Sequence, residues 1–126
     1  MQPFVFKIAT AAEWAHAVEA GRYTGSPDDL RDGFIHFSSR HQLAGTLERH
    51  FAGRNSLVLV CVDAAALGDA LKWEASRGGK AYPHLYGDLP LAAVTGVRPI
   101  MDGAGGPVVE RIAALMDEAT GGSDAA

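Results

Sequence analysis

Three short segments of the 126-residue chain carry side chains that could do chemistry. They read Phe-Ile-His-Phe-Ser over residues 34–38, Trp-Glu over residues 73–74 and Tyr-Pro-His-Leu-Tyr over residues 82–86. Aromatic and β-branched residues around a polar group are typical of β-strands, in which every second residue lies on the same face. If the sheet brings these polar faces together, they form one cleft. The cleft residues would then be His36, Ser38, Glu74, His84 and Tyr86.

The first of these segments pairs an imidazole with a hydroxyl. His36 and Ser38 share a strand face, and Ser39 with Gln42 forms a capping box, which predicts a helix beginning at Arg40. A strand end beside a helix N-terminus is a common place for a small ligand to bind. The segment therefore indicates a small-molecule site without specifying a reaction.

Three cations are expected near the same cleft. Lys7 lies on the predicted first strand, and Arg77 and Lys80 lie in a glycine-containing loop. One or two such side chains suffice to hold a phosphorylated small molecule. The histidines outside the three segments lie on predicted helices and are interpreted as structural or solvated side chains. They are His16, His41 and His50.

The elements that position these segments begin with a strand over residues 4–9. A helix then follows the cap at Thr10 and ends at Gly21. Trp14 and Val18 are four residues apart, so we expect both to face the core.

The next stretch, from Gly21 to Gly33, is predicted to be a loop because it is rich in turn formers. These turn formers are Gly25, Ser26, Pro27, Asp28 and Asp29. The helix that begins at Arg40 should end near Gly53 and bury an apolar stripe. The stripe consists of Leu43, Leu47 and Phe51.

The second half of the chain predicts further strands. The continuously apolar residues 57–62 are typical of a central strand covered on both faces, and Cys61 within it is expected to be buried. Residues 71–74 and 82–86 are short strands, the latter at a sheet edge or irregular entry because it contains a proline. Residues 91–100 supply the last strand.

These elements predict an α+β fold built on a strongly twisted sheet of about six short strands with flanking helices. We expect one domain over residues 1–101, a Gly-rich linker at 102–106, an appended amphipathic helix at 107–119 and a disordered tail at 120–126. Docking on the domain is the expected placement of that helix.

The composition restricts the partners. A net charge of −4 without a Lys/Arg cluster argues against nucleic acid. No signal peptide and no apolar run of about 18 residues is visible, so we expect a cytoplasmic protein away from the membrane. A small phosphorylated molecule is compatible with this composition, and the expected assembly is a monomer or a weak homodimer.

The three segments also carry a family resemblance. Asp-Gly-Phe-Ile-His-Phe-Ser-Ser at 32–39, Leu-Lys-Trp-Glu at 71–74 and Tyr-Pro-His-Leu-Tyr-Gly at 82–87 occur in this order. They resemble an uncharacterised family of bacterial and plant proteins, domain-of-unknown-function family 952, from Phe4 to about Ile100. That family is grouped by fold with the ADP-ribosyltransferases, whose split, twisted sheets bind NAD in a central cleft. The resemblance therefore implies a split, twisted, mostly antiparallel sheet and a small, nucleotide-like ligand. Within that group, residues 35–38 and 60–65 are most similar to the RNA 2'-phosphotransferase.

The resemblance implies ADP-ribosyl-type chemistry with NAD as the possible cofactor or substrate. Such a transfer needs a carboxylate that orients the ribose and offsets positive charge, and an aromatic wall for the nicotinamide. By this resemblance Glu74 would be the carboxylate and Tyr82 or Tyr86 the wall. Glu74 and His36 are therefore the predicted catalytic residues. The predicted ligand-binding residues are Lys7, Ser38, Arg77, Tyr82, His84 and Tyr86.

The remaining roles fall on donors and cations. His36 and Ser38 would donate to the ribose, and Arg77 or Lys80 would contact phosphate. The transferases carry a His-Gly-Thr or Arg-type element on their first strand, whereas residues 6–10 here retain only its threonine. Two alternatives therefore stand beside the transferase: a non-catalytic small-ligand-binding domain, and a metal site built from the His and Glu side chains, a ligand mixture that zinc accepts.

Overall fold

The computed structural model describes residues 3–51, 53–54, 56–75, 78–100 and 108–120. It contains four α-helices: α1 Ala11–Ala20, α2 Pro27–Asp32, α3 Leu43–Phe51 and α4 Val108–Ala119. Its eight strands are β1 Phe4–Thr10, β2 Arg22–Tyr23, β3 Ile35–His36, β4 Leu57–Asp63, β5 Leu71–Ala75, β6 Ala81–Leu85, β7 Leu89–Pro90 and β8 Val94–Ile100. Two 3₁₀ helices, Ala64–Ala70 and Leu91–Ala93, precede β5 and β8.

The strands form three antiparallel groups: β1-β4-β8, β3-β6-β5 and the pair β2-β7. Phe6 and Ser38 join the first two groups, because each main-chain N–H donates to the carbonyl of the other, at 2.9 and 2.8 Å. The sheet is therefore split and antiparallel, and the predicted α+β fold class is confirmed. About six strands were predicted, and the two beyond that number are the two-residue β2 and β7.

The central sheet separates two apolar cores, because alternate residues of a strand face opposite sides. One face of β1 and β4 packs into the first core with α1, and the other face packs into the second core with α3 and α4. The residues of β4 reach both cores, as expected of a covered central strand. Helix α4 packs on β8, β4 and α3, and its inward side chains are Ile112, Met116 and Ala119.

The predicted loop from Gly21 to Gly33 is wrong. Residues 27–32 form α2, whose N-cap Ser26 accepts from the backbone N–H of Asp29 while the Asp29 carboxylate accepts from the N–H of Ser26. Gly33 ends the helix with φ of 86°, a conformation that glycine adopts without strain. Turn formers thus cap a six-residue helix at both ends instead of forming a loop.

Two further expectations on helices need correction. The helix predicted to begin at Arg40 begins at Leu43, because residues 40–42 form a turn in which the Ser39 carbonyl accepts from two successive N–H groups. Val18 is 57% exposed, since α1 packs on the core through Trp14 and Ala17, three residues apart. The predicted linker at 102–106 and the tail beyond Thr120 lie outside the described residues.

Candidate functional site

A cleft of about 800 Å³ lies between the split strands and two helices. Residues of β1, β3 and β6, of α2 and α3, and of the segment 78–80 line it. Five of the predicted site residues lie on its surface: Lys7, His36, Ser38, Tyr82 and His84. Glu74 and Tyr86 do not line it, and Arg77 lies outside the described residues.

Glu74 contacts the cleft indirectly, through a hydrogen bond with His84, which is a lining residue. Its Oε1 accepts from the Tyr86 hydroxyl at 2.8 Å and is 2.8 Å from Nδ1 of His84. Both hydrogen bonds lower the pKa of the Glu74 carboxyl, and the bond with His84 has the larger effect. The hydrogen bond with this carboxylate in turn raises the pKa of Tyr86. Because β5 and β6 pair antiparallel with Glu74 opposite Tyr82, Glu74 lies diagonal to His84 on the same sheet face.

Aromatic rings surround the two cleft histidines. His36 and His84 are directly opposite one another on β3 and β6, with ring centroids 5.6 Å apart. Phe34 stacks on His84 at 4.0 Å and lies 4.6 Å from His36 and 5.3 Å from Tyr86. This aromatic layer fixes the imidazole of His84, whose Nδ1 is held by Glu74. Among the described residues no hydrogen-bonding group occupies its Nε2, so this nitrogen is the one available to a ligand.

Asp29 is a site residue that the sequence reading missed. Its carboxylate is 2.8 Å from Nζ of Lys7 and 2.6 Å from Nδ1 of His36, and it accepts from the backbone N–H of His36. The side chains of Lys7 and Asp29 are only 8% and 1% exposed, so this is a buried ion pair. The capping-box spacing from Ser26 to Asp29 was the available signal, with aspartate in the position where glutamate is the usual partner.

The protonation of this network follows from its contacts. Burial alone would raise the pKa of Asp29, but the hydrogen bond with His36 and the charge of Lys7 outweigh it and hold that pKa well below its ordinary range. Burial lowers the pKa of Lys7, and Asp29 partly opposes this shift. The network therefore keeps a carboxylate charged in a buried position against β1 and β3.

The polar side-chain atoms of two predicted site residues already contact neighbouring side chains. Nε2 of His36 is 3.0 Å from the carboxylate of Asp32, and Oγ of Ser38 is 2.8 Å from Oγ1 of Thr46. A ligand that takes a hydrogen bond from His36 must therefore displace Asp32, which is partly exposed.

Cationic side chains also line the cleft. Arg49 of α3 donates through Nη2 to the hydroxyl of Tyr82 at 2.9 Å, and Lys80 and His50 are further lining residues. A smaller cavity of about 490 Å³ adjoins it and shares Arg49, Lys80 and Tyr82. Arg49 was not singled out from the sequence because it lies on a helix far from the three strand segments, and His50 was interpreted as structural.

The histidines and carboxylates do not converge as metal ligands. In the part of the chain that the structure describes, no group of three His, Cys, Asp or Glu side chains is arranged to hold a metal ion. His36 faces Asp29 and Asp32, whereas His84 faces Glu74, so the carboxylates pair with separate imidazoles.

The family model described as "Protein of unknown function (DUF952)" matches residues 8–97, which include the three segments 34–38, 73–74 and 82–86. The chain belongs to this family. The DUF952 match ends before α4, as the sequence resemblance did. No curated protein matches the chain.

Solved structures agree with this assignment. The DUF952 chain is 47% identical to the crystal structure of CC0527 from Caulobacter crescentus, with a TM-score of 0.74 over 76% of this chain and 84% of that one. The solution structure of CC0527 gives 45% identity and a TM-score of 0.74 over 82% and 90% of the two chains.

A distant likeness extends to DarT from Thermus sp. 2.9. Its structure in complex with NAD⁺ aligns with a TM-score of 0.52 at 10% identity, over 94% of this chain and 91% of that one. Another structure of the same protein, in complex with ADP-ribosylated single-stranded DNA, aligns equally well at 9% identity. This likeness concerns the fold and supports the predicted ADP-ribosyltransferase-like architecture. No described helix is both long and apolar enough to cross a membrane.

Proposed function

We propose that this DUF952 domain binds a nucleotide-like ligand, such as ADP-ribose or NAD, in the cleft. The observation that carries the proposal is a cleft of about 800 Å³ that Arg49 and Lys80 line together with the aromatic ring of Tyr82 and the imidazoles of His36 and His84. Cavities of about 300–1,000 Å³ are typical of small-molecule sites. A nucleotide diphosphate presents the matching chemistry, with charged phosphates beside flat rings and ribose hydroxyls.

In this proposal the phosphates lie against Arg49 and Lys80, with Arg77 as a further contact. A guanidinium binds phosphate oxygens in a bidentate manner, and an ammonium contributes a point charge. Tyr82 adjoins both cations and supplies an aromatic wall. The phosphate end thus includes one residue, Arg49, beyond those proposed from the sequence.

The ribose and base end lies at the two histidines. His84 offers its Nε2 on the cleft surface, whereas His36 and Ser38 would exchange their contacts with Asp32 and Thr46 for contacts with the ligand. Tyr86 lies behind them as part of the aromatic layer. Lys7 contributes indirectly in this proposal, because its Nζ is engaged by Asp29 and so fixes the carboxylate that orients His36. The fold likeness to DarT, solved in complex with NAD⁺, supports the choice of ligand.

The test is a titration of the protein with ADP-ribose, NAD and adenosine by calorimetry. We expect ADP-ribose and NAD to bind and adenosine to bind more weakly, because it lacks the phosphates. Arg49→Gln should weaken ADP-ribose binding at least about tenfold, corresponding to the roughly 1.5 kcal/mol of one charge-assisted hydrogen bond. Arg22→Gln, a surface arginine outside the cleft, is the matched control. Equal affinity of the Arg49 and Arg22 variants would contradict the proposed phosphate end.

A second candidate function is ADP-ribosyl-type transfer in the same cleft. The observation in its favour is the carboxylate of Glu74, which Tyr86 and His84 hold in place beside the cleft. A carboxylate so positioned could offset the positive charge that develops when the nicotinamide–ribose bond breaks. Release of nicotinamide by the wild type, lost in Glu74→Gln, would support catalysis. Binding of NAD without release would favour the non-catalytic domain.

A further inference from the structure

Strand β5 forms an open edge of the β3-β6-β5 sheet. Its one flank pairs with β6, and its other flank has no strand partner among the described residues. Trp73 in the middle of this five-residue strand is 42% exposed, which is unusual for a large aromatic residue. Unpaired strand edges readily accept a further strand, and a flanking aromatic residue adds apolar area to such a contact.

The sequence of this edge is self-complementary. It reads Leu71-Lys72-Trp73-Glu74-Ala75, with opposite charges at equal distances on either side of the tryptophan. Antiparallel pairing of two copies about Trp73 places each Lys72 opposite Glu74 of the second copy and the two tryptophans opposite one another. Oppositely charged and aromatic cross-strand pairs stabilise a sheet.

The other registers are unfavourable. Residues that lie directly opposite one another in a sheet have their side chains on the same face. A shift of the second copy by one residue would pair residues from opposite faces, so this register is excluded. A shift of two residues centres the pair on Lys72 or on Glu74, and it then sets two ammonium groups or two carboxylates opposite one another. The charge pattern therefore selects the register centred on Trp73.

The side chains are also free to make these contacts. The Tyr86 and His84 hydrogen bonds both fall on Oε1 of Glu74, and no described residue donates to its Oε2. Nζ of Lys72 makes a single described hydrogen bond, at 3.2 Å to the carbonyl of Asp69, and its side chain is exposed. Lys72 of the second copy could therefore bind Oε2 of Glu74 while Oε1 keeps its contacts with His84 and Tyr86.

We propose that two copies of this chain associate through β5, which would make one continuous six-stranded sheet and place a lysine of each copy beside Glu74 of the other. The contact is short, and interfaces well below about 1,200 Å² are weak. The dissociation constant of the dimer should therefore be micromolar or higher. This inference is independent of the proposed ligand, because it rests on the strand edge alone.

Sedimentation analysis over a concentration series tests the proposed association through β5. The weight-average mass of the wild type should rise from 13.2 kDa towards twice that value as the concentration approaches the millimolar range. Lys72→Glu alone and Glu74→Lys alone each create opposed like charges, so each should lower the association constant at least about tenfold. An equimolar mixture of the two variants restores both ion pairs and should associate again. Arg22→Glu, a charge reversal on another exposed strand, should leave association unchanged.

Trp73→Ser provides an independent variant, because it leaves the Glu74–His84 hydrogen bond intact and should remain monomeric at every concentration. Circular dichroism of each variant verifies that it is folded. A wild type that stays at 13.2 kDa throughout would overturn the proposal. So would a Trp73→Ser protein that associates as well as the wild type, or a mixture of folded charge variants that fails to associate.

Discussion

Asp29 distinguishes His36 from His84, the two histidines that lie opposite one another in the cleft. Its carboxylate contacts Lys7 and both the ring and the main-chain N–H of His36, so the partly exposed His36 is bound to a buried ion pair. His84 is instead held by one carboxylate and an aromatic stack, and its Nε2 stays available to a ligand. At the residue scale the first histidine is therefore built into the scaffold more firmly than the second.

Replacement of Asp29 by asparagine removes the charge that compensates Lys7. An uncompensated buried charge costs about 3–5 kcal/mol, so the free energy of unfolding of Asp29→Asn should fall by roughly that amount. Urea denaturation measures this free energy of unfolding. Asp28→Asn, one residue away but 75% exposed at its side chain, should change the stability by at most about 0.5 kcal/mol. Equal losses in both variants would mean that the buried pair contributes little.

The same carboxyl predicts a dependence of stability on pH. Because the pKa of Asp29 in the folded protein lies well below its ordinary value of 3.8, its contribution is fully present above that value. The contribution is lost as the pH falls below 3.8, since the unfolded chain then takes up the proton first. Unfolding free energies between pH 5 and pH 2 should therefore fall more steeply in the wild type than in Asp29→Asn. Parallel curves would exclude this source of acid sensitivity.

At the scale of elements, close approach of two backbones positions α4. A Cβ atom built on Gly96 of β8 would lie 2.9 Å from the carbonyl carbon of Ala119 and closer still to its oxygen. Thr95 next to it donates to the carbonyls of Cys61 and Ala119, which ties the same helix end to the sheet. The absence of a side chain at position 96 therefore lets α4 reach the second core.

Gly96→Ala should destabilise the protein by about 1–3 kcal/mol, although alanine is otherwise favoured over glycine within a strand. The reason is that the added methyl group meets backbone atoms, which cannot rotate away. Thermal and urea denaturation give the change. Gly78→Ala is the matched control, since a Cβ there meets no atom within 4 Å and the backbone needs no positive φ. A neutral Gly96→Ala would show that α4 can shift without cost.

On the scale of the whole molecule, α4 contributes to the second core and lies apart from the lining of the cleft. The second core, with α3 and α4, buries Ile112 and Met116. No described residue of α4 lines the cleft. Changes in α4 should therefore act on the folding equilibrium and leave the site intact.

Ile112→Ala should lower the free energy of unfolding by about 2–5 kcal/mol, because it leaves a cavity in the second core. Affinity for ADP-ribose, measured where the variant is fully folded, should stay within about twofold of the wild type. The control is Val18→Ala on the exposed side of α1, for which we expect a change of at most about 0.5 kcal/mol. A large loss of affinity in Ile112→Ala would show that α4 shapes the cleft.

Much of the fold could be predicted because its signals are local. The capping box at Thr10, the positive-φ glycine at position 21 and the apolar run of β4 each depend on a few neighbouring residues. Val18 was assigned to the wrong side, since a fourfold spacing alone does not decide which stripe of a short helix faces the core. Helix α2 was missed because its caps are made of residues that are equally common in loops.

The sequence by itself determined the α+β class, the family and the strands on which His36, Glu74 and His84 lie. Only the tertiary structure decided their partners. Lys7 and Asp29 are 22 residues apart, and Arg49 and Tyr82 are 33 apart, so these contacts depend on which strands pair and in which register. Periodicity and caps encode the path of the chain over one or two turns, whereas packing of the two cores and the split sheet determines which polar groups meet.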